Sequence, residues 1–187
     1  MSETTLQDLQ KLLATAEPPE LGPGPRPGIL AEAALESKLD ELFDRGEVAS
    51  AKQPLIRALV MLWHDHLDAA HVIAQSIDNA DGAFVHGIMH RREPDYGNAK
   101  YWFHRVGAHP AFPEIAAQAG SLLESKAEQA LAAKLIAQDR WDAFAFVDAC
   151  EKAARRGSGS DRQTLLRNIQ AIESQVLLEY FAGFTAQ

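Results

Sequence analysis

All seven histidines of this 187-residue chain fall between Trp63 and Pro110, together with two of its three tryptophans and two of its three tyrosines. Projected at about 100° per residue, the helix expected over residues 54–78 carries Leu55, Leu59, Leu62, Trp63, Ala70, Ile73 and Ile77 on one face. His64, Asp68 and His71 fall together on the opposite face at i, i+4, i+7, while His66 lies among the apolar positions and reads as structural. The following helix, over 81–92, repeats the pattern. Phe84, Val85 and Ile88 lie on one side, and His86, His90 and Glu93 stand at i, i+4, i+7 on the other. If the two helices pack antiparallel with these triples facing, six ionisable groups converge.

Three chemistries compete for such an arrangement. The leading one is a polar pocket for a small anionic ligand, with acid–base catalysis by His64, His71, His86 or His90. Asp68 and Glu93 would orient the imidazoles. Arg91 and Arg92 would grip the anion in two-pronged fashion, and Asp95, Tyr96, Lys100 and His104 would line the mouth, with Arg105 adding to a locally basic cluster. The second is a pair of solvated helix faces, the default for amphipathic helices; histidine is an uncommon choice there because it is a weaker helix former than Lys, Glu or Arg. The third is a metal site. His86-x-x-x-His90 can put two imidazoles on one ion, and Asp68-x-x-His71 resembles the Glu-x-x-His element of helical-bundle carboxylate sites. The full di-iron pattern needs more carboxylates than are present, so a cofactor stays unassigned, with His86 and His90 as the metal candidates. Tyr101, Trp102 and Phe103 read as wall or core, the last two on the packing face.

The elements that must position these residues are all helical. Apolar residues recur at three and four positions throughout, and no segment alternates with period two. The expectation is an all-α fold, a compact multi-helix domain of about seven or eight helices over 2–16, 29–45, 54–78, 81–92, 96–106, 112–137 with a break near 120–125, 140–155, and 161–181. Residues 157–160 read as a loop, with Asp161 capping the last helix. Pro94 ends the 81–92 helix and Asp95 caps the next. Residues 17–28 hold five prolines and three glycines, so they cannot be helix and read as an extended linker or a strap across the body. The chain divides as 1–28, an N-terminal helix and strap, and 29–187, one all-α domain with its histidine-rich centre at 63–110. A 29-residue spacing relates Leu67, Ala70, Ala74 and Ile77 to Tyr96, Ala99, Phe103 and Val106. This second copy, followed by Pro110, resembles the B helix of tetratricopeptide or Sel1-like repeats, although the Trp-x-x-Leu-Gly half is missing.

A second resemblance covers roughly residues 63–151. The runs Trp63-His64-Asp65, His86-x-Ile88-Met89-His90-Arg91-Arg92-Glu93-Pro94-Asp95-Tyr96, Asn98-Ala99-Lys100-Tyr101-Trp102-Phe103 and Trp141-Asp142 are similar to those of a bacterial and fungal protein family with no known activity. The resemblance implies no chemistry, but it centres on the residues the spacing argument selects.

Composition narrows the classes. A formal net charge of -8 argues against nucleic acid or a membrane surface as partner. No basic start followed by an apolar stretch marks a signal peptide, and a single cysteine, Cys150, flanked by apolar residues, reads as an inert buried thiol in a reducing compartment. The expected protein is soluble and cytoplasmic. It binds a small molecule, with a helical-repeat interaction module as the alternative function and a protein partner or homo-oligomer left open.

Overall fold

Helix-forming spacing of Leu and Ala along most of the chain produces ten helices and one small hairpin among the described residues, 2–155 and 159–184, of the computed structural model. In chain order they are α1 (Glu3–Leu12), α2 (Glu32–Phe43), α3 (Gln53–Trp63), α4 (Leu67–Ala74), α5 (Ala80–Arg92), α6 (Tyr96–Val106), α7 (Phe112–Ser125) and α8 (Gln129–Leu135). The hairpin of β1 (Ile136–Ala137) and β2 (Arg140–Trp141) follows, then α9 (Ala143–Ala154) and α10 (Asp161–Phe181). The fold is all-α with more helices than the seven or eight expected. One continuous apolar cluster runs from Leu9 on α1 to Ala182 beyond α10, and α10 touches α1, α3, α7 and α9. No helix among the described residues is long and apolar enough to cross a membrane.

The extra helices come from two breaks. The helix expected over 54–78 stops at Trp63, because Asp65 adopts φ 65°. The Asp65 N–H then donates to Leu62 O (3.1 Å) and His66 N–H to Met61 O (2.9 Å). This is a Schellman ending built on aspartate instead of glycine. The helix expected over 112–137 breaks at Lys126–Glu128 and not near Gly120, which lies inside α7. There Ala127 takes φ 56°, and Glu128 N–H closes the same motif on Leu123 O (2.9 Å). Gln138 and Asp139, both at positive φ, turn the unforeseen hairpin in the sense that matches strand twist. Consequently α9 starts at Ala143 under an Asp142 cap, not at Arg140, and Ser160 rather than Asp161 caps α10. Of the loop expected at 157–160, residues 157 and 158 lie outside the described residues.

Residues 17–28 are laid across the body. Their prolines leave carbonyls that need donors from elsewhere. Arg167 donates to Pro18 O (2.5 Å), Gln170 to Glu20 O (3.1 Å), and Arg92 to Glu20 O and Gly22 O (3.1 Å each). Leu21 reaches the core. Asp65, at the α3–α4 corner, fastens the end of the strap: it accepts from Arg26 Nη1 (2.6 Å), the Arg26 backbone N–H (2.9 Å) and Arg92 Nη2 (2.6 Å). The corner that breaks the long helix is therefore also the corner that holds the strap.

The two segments related by the 29-residue spacing are α4 and α6. Leu67, Ala70 and Ala74 are buried on the first, and Ala99, Phe103 and Val106 on the second.

Candidate metal centre

Three helices brought together by two glycines build the histidine cluster. Asn79 caps α5 by accepting from Gly82 N–H (2.9 Å). A Cβ at Gly82 would stand 2.3 Å from Ile77 O, so only glycine lets the chain fold back sharply from α4 into α5. A Cβ at Gly87 would meet the Phe103 ring at 3.0 Å, and its absence lets α6 lie close on α5. The result sets His71 of α4 against His86 and His90 of α5, with Trp102 of α6 behind them.

The ring centroids are 4.8 Å apart for His71–His86, 5.4 Å for His71–His90 and 4.9 Å for the near-parallel His86–His90 pair. One ligating nitrogen from each ring can be chosen so that all three lie within 4.8 Å of one another. His86 and His90 are buried and His71 is half-buried, so one side of the cluster reaches solvent. His86 stacks on Trp102 at 3.9 Å, and the Arg105 guanidinium lies 5.0 Å from the same indole.

Burial opposes protonation of the two inner rings, His86 and His90. Burial, followed by the charges of His90, His71 and Arg105, lowers the His86 pKa to about 4. Neither ring nitrogen of His86 has a hydrogen-bond partner among the described residues. A buried imidazole with two idle nitrogens is costly, since buried polar groups are nearly always satisfied. His90 differs. Its Nδ1–H donates to Glu93 Oε2 (3.1 Å), and its Nε2 accepts from Asn98 Nδ2 (3.1 Å). Burial lowers its pKa, against the opposing pull of Glu93. Glu93 thereby fixes the tautomer that leaves Nε2 as the lone-pair nitrogen, the arrangement seen where a carboxylate orients a metal-bound histidine.

The remaining expected site residues lie elsewhere. His64, at the end of α3, is a buried structural group: Leu30 N–H donates to its Nδ1 (3.1 Å), and its Nε2–H donates to Leu12 O (2.8 Å). His66, expected to be structural, donates from Nε2 to Leu30 O (2.8 Å). Asp68 is exposed on α4 and orients none of the three clustered rings. Arg91 and Arg92 do not line a mouth, because both are buried with internal partners. Arg91 pairs with Glu173 (2.5 Å) beside Gln170, and Arg92 holds the strap and Asp65. The reason is position: at the C-terminal end of α5 they point toward α10 and the 17–28 segment, which sequence spacing did not place there. Asp95 caps α6 through Asn98 N–H (3.1 Å), Tyr96 is half-buried, Lys100 pairs with Asp148 (2.5 Å) and His104 is exposed. Cys150 is fully buried, which pushes its thiol up to about 12.

Of the other residues at the cluster, Trp102 was expected only as wall or core, and Asn98 was given no role from sequence. The signal existed: Asn98, Trp102 and Arg105 stand at i, i+4, i+7 on α6, the same spacing as the two histidine-bearing triples.

No protein-family model matches the chain, and no curated protein or solved structure matches it either.

Proposed function

We propose that the protein binds a divalent transition metal, zinc being the reference case, through His71, His86 and His90, with a fourth position open to water or a small anionic ligand on the His71 side. The observation that supports this most is His86: neutral at physiological pH, buried, bare at both nitrogens and flanked by two more imidazoles. Neutral imidazole is the form that ligates. Tetrahedral zinc with bonds of about 2.0–2.1 Å places its ligands roughly 3.3 Å apart. The present 4.8 Å spread must therefore contract on loading, and the Asn98 amide must turn away from His90 Nε2. His71, half-buried on an eight-residue helix, is the group free to swing.

Three neutral ligands leave the charge of the ion uncompensated. Such an ion acidifies bound water and polarises carbonyl or phosphoryl oxygens. Because Arg91 and Arg92 are spent on internal partners, an anionic substrate would be held by the ion itself. Histidines without a clustered carboxylate suit zinc, copper, nickel or iron over magnesium or calcium.

Calorimetric titration of metal-free protein with Zn(II) tests the reading. One ion per chain with micromolar or tighter affinity is expected, weakened at least a hundredfold in His86→Ala and about tenfold in Glu93→Gln. Failure of the folded wild-type protein to bind any of Zn(II), Co(II), Ni(II) or Cu(II) at one per chain would refute it.

A further inference from the structure

Next to Trp102 on α6, Phe103 borders a second concavity that the metal reading does not use. This cleft, of about 470 Å³, lies between the α6–α7 turn, the first turn of α7, the hairpin and the first turn of α9. Its size falls within the range of small-molecule pockets. Phe103, Phe112, Trp141 and Phe144 supply aromatic wall, and Phe144 is 40% exposed, an uncovered ring at the rim. Trp141 is buried, and its Nε1–H has no acceptor among the described residues.

The polar groups on the lining sort by whether they are already engaged. His109 is not available as a base. Ala111 N–H donates to its Nδ1 (3.1 Å), and its Nε2–H donates to Asp81 (2.9 Å). Asp81 is in turn held ionised: burial alone would raise its pKa, but the hydrogen bonds from His109 and Lys52 keep it below the ordinary value. Asp142 is committed to capping α9 through Ala145 N–H (2.9 Å). Arg140 is the remaining charge, exposed and with no ion pair among the described residues. A cleft with aromatic walls, one uncommitted guanidinium at its edge and no group able to act as base fits a flat ring carrying one negative charge.

We propose that this cleft is a binding site for a small aromatic monocarboxylate, its ring between Phe112 and the Trp141–Phe144 wall and its carboxylate on Arg140. The site is independent of the histidine cluster, and no bond is made or broken there.

Calorimetry of the full chain with 2-naphthoate, and with 2-naphthylmethanol as the uncharged counterpart, tests it. Saturable one-to-one binding of 2-naphthoate is expected, with the alcohol weaker by about fivefold, the most that an exposed ion pair ordinarily contributes. Arg140→Gln should reduce the naphthoate affinity to that of the alcohol. Ala108→Trp, or Ala137→Trp if the first fails to fold, should abolish binding of both by filling the cleft, whereas His86→Ala should leave both unchanged. The proposal is overturned if 2-naphthoate shows no saturable binding up to its solubility. It is equally overturned if both filling variants, shown to be folded, bind as the wild type does, or if Arg140→Gln leaves the preference for the acid intact.

Discussion

Replacing Asp65 with asparagine removes a charge and nothing else of size, and the structure says what that charge does. Asn tolerates the left-handed backbone that Asp65 occupies at φ 65°, so the α3–α4 corner survives in shape. The carboxylate, fully buried, is shared by Arg26 and Arg92, whose side chains are 5% and 1% exposed. Leaving a buried charge without its partner costs about 3–5 kcal/mol. Two guanidinia lose theirs here, but each keeps backbone carbonyls: Trp63 O for Arg26, and Leu62 O, Glu20 O and Gly22 O for Arg92. The lower end therefore applies, about 3 kcal/mol, or roughly 6–12 °C in Tm for a chain of this size. Urea unfolding at pH 7 measures it, and repeating the titration at high salt should leave the difference unchanged, because a buried pair is little screened. A loss under about 1 kcal/mol, or one that disappears in salt, is the behaviour of an exposed pair and would refute the reasoning.

Gly24 tests the same corner from the strap. Its φ is 83°, and an added Cβ would lie 2.8 Å from the Asp65 carboxyl carbon. Gly24→Ala should therefore destabilise, and the double variant with Asp65→Asn should lose less than the sum, since both act on one contact; strict additivity in a double-mutant cycle would separate them. Ala127→Gly relieves a left-handed alanine between α7 and α8 and should raise stability by about 1 kcal/mol, read as a Tm rise of roughly 2–4 °C; no rise would mean the strain is relaxed elsewhere. His64 makes stability depend on pH. Burial, together with the charges of Arg26 and His66, lowers its pKa against the pull of the Leu12 carbonyl and Asp65. The unfolded chain thus takes up a proton first, so its contribution is full above about 6.5 and is lost as pH falls toward the folded value. Tm measured from pH 8 to pH 5 should fall less steeply in His64→Gln than in the wild type; parallel curves would remove His64 from the account.

How much of this could be read from residues alone differs by element. The helical class followed from spacing, and the concentration of chemistry at 63–110 did place His71, His86 and His90. The helix end marked by Pro94, with Asp95 capping the next helix, was legible. The ends at Asp65 and Ala127 were not, because a left-handed residue that is not glycine leaves no compositional mark, and the hairpin turn at Gln138–Asp139 hid for the same reason. That missed corner had consequences. On an unbroken helix His64, Asp68 and His71 share one face, but with the break at Asp65 only His71 looks toward α5. Arg91 and Arg92 were read as ligand-gripping because local spacing sees no partner for them. Their partners, Glu173 and the 17–28 carbonyls, are 82 and about 70 residues away, a separation that single-chain pattern cannot bridge.

The most direct test of the metal reading is a crystal of the zinc-loaded protein with an anomalous difference map collected at the zinc edge. One peak is expected between α4 and α5, about 2.0–2.1 Å from one nitrogen of each of His71, His86 and His90, with Glu93 still on His90 Nδ1 and the Asn98 amide turned aside. A map with no peak there, or with the ion held by other side chains while His86 keeps both nitrogens bare, would contradict it.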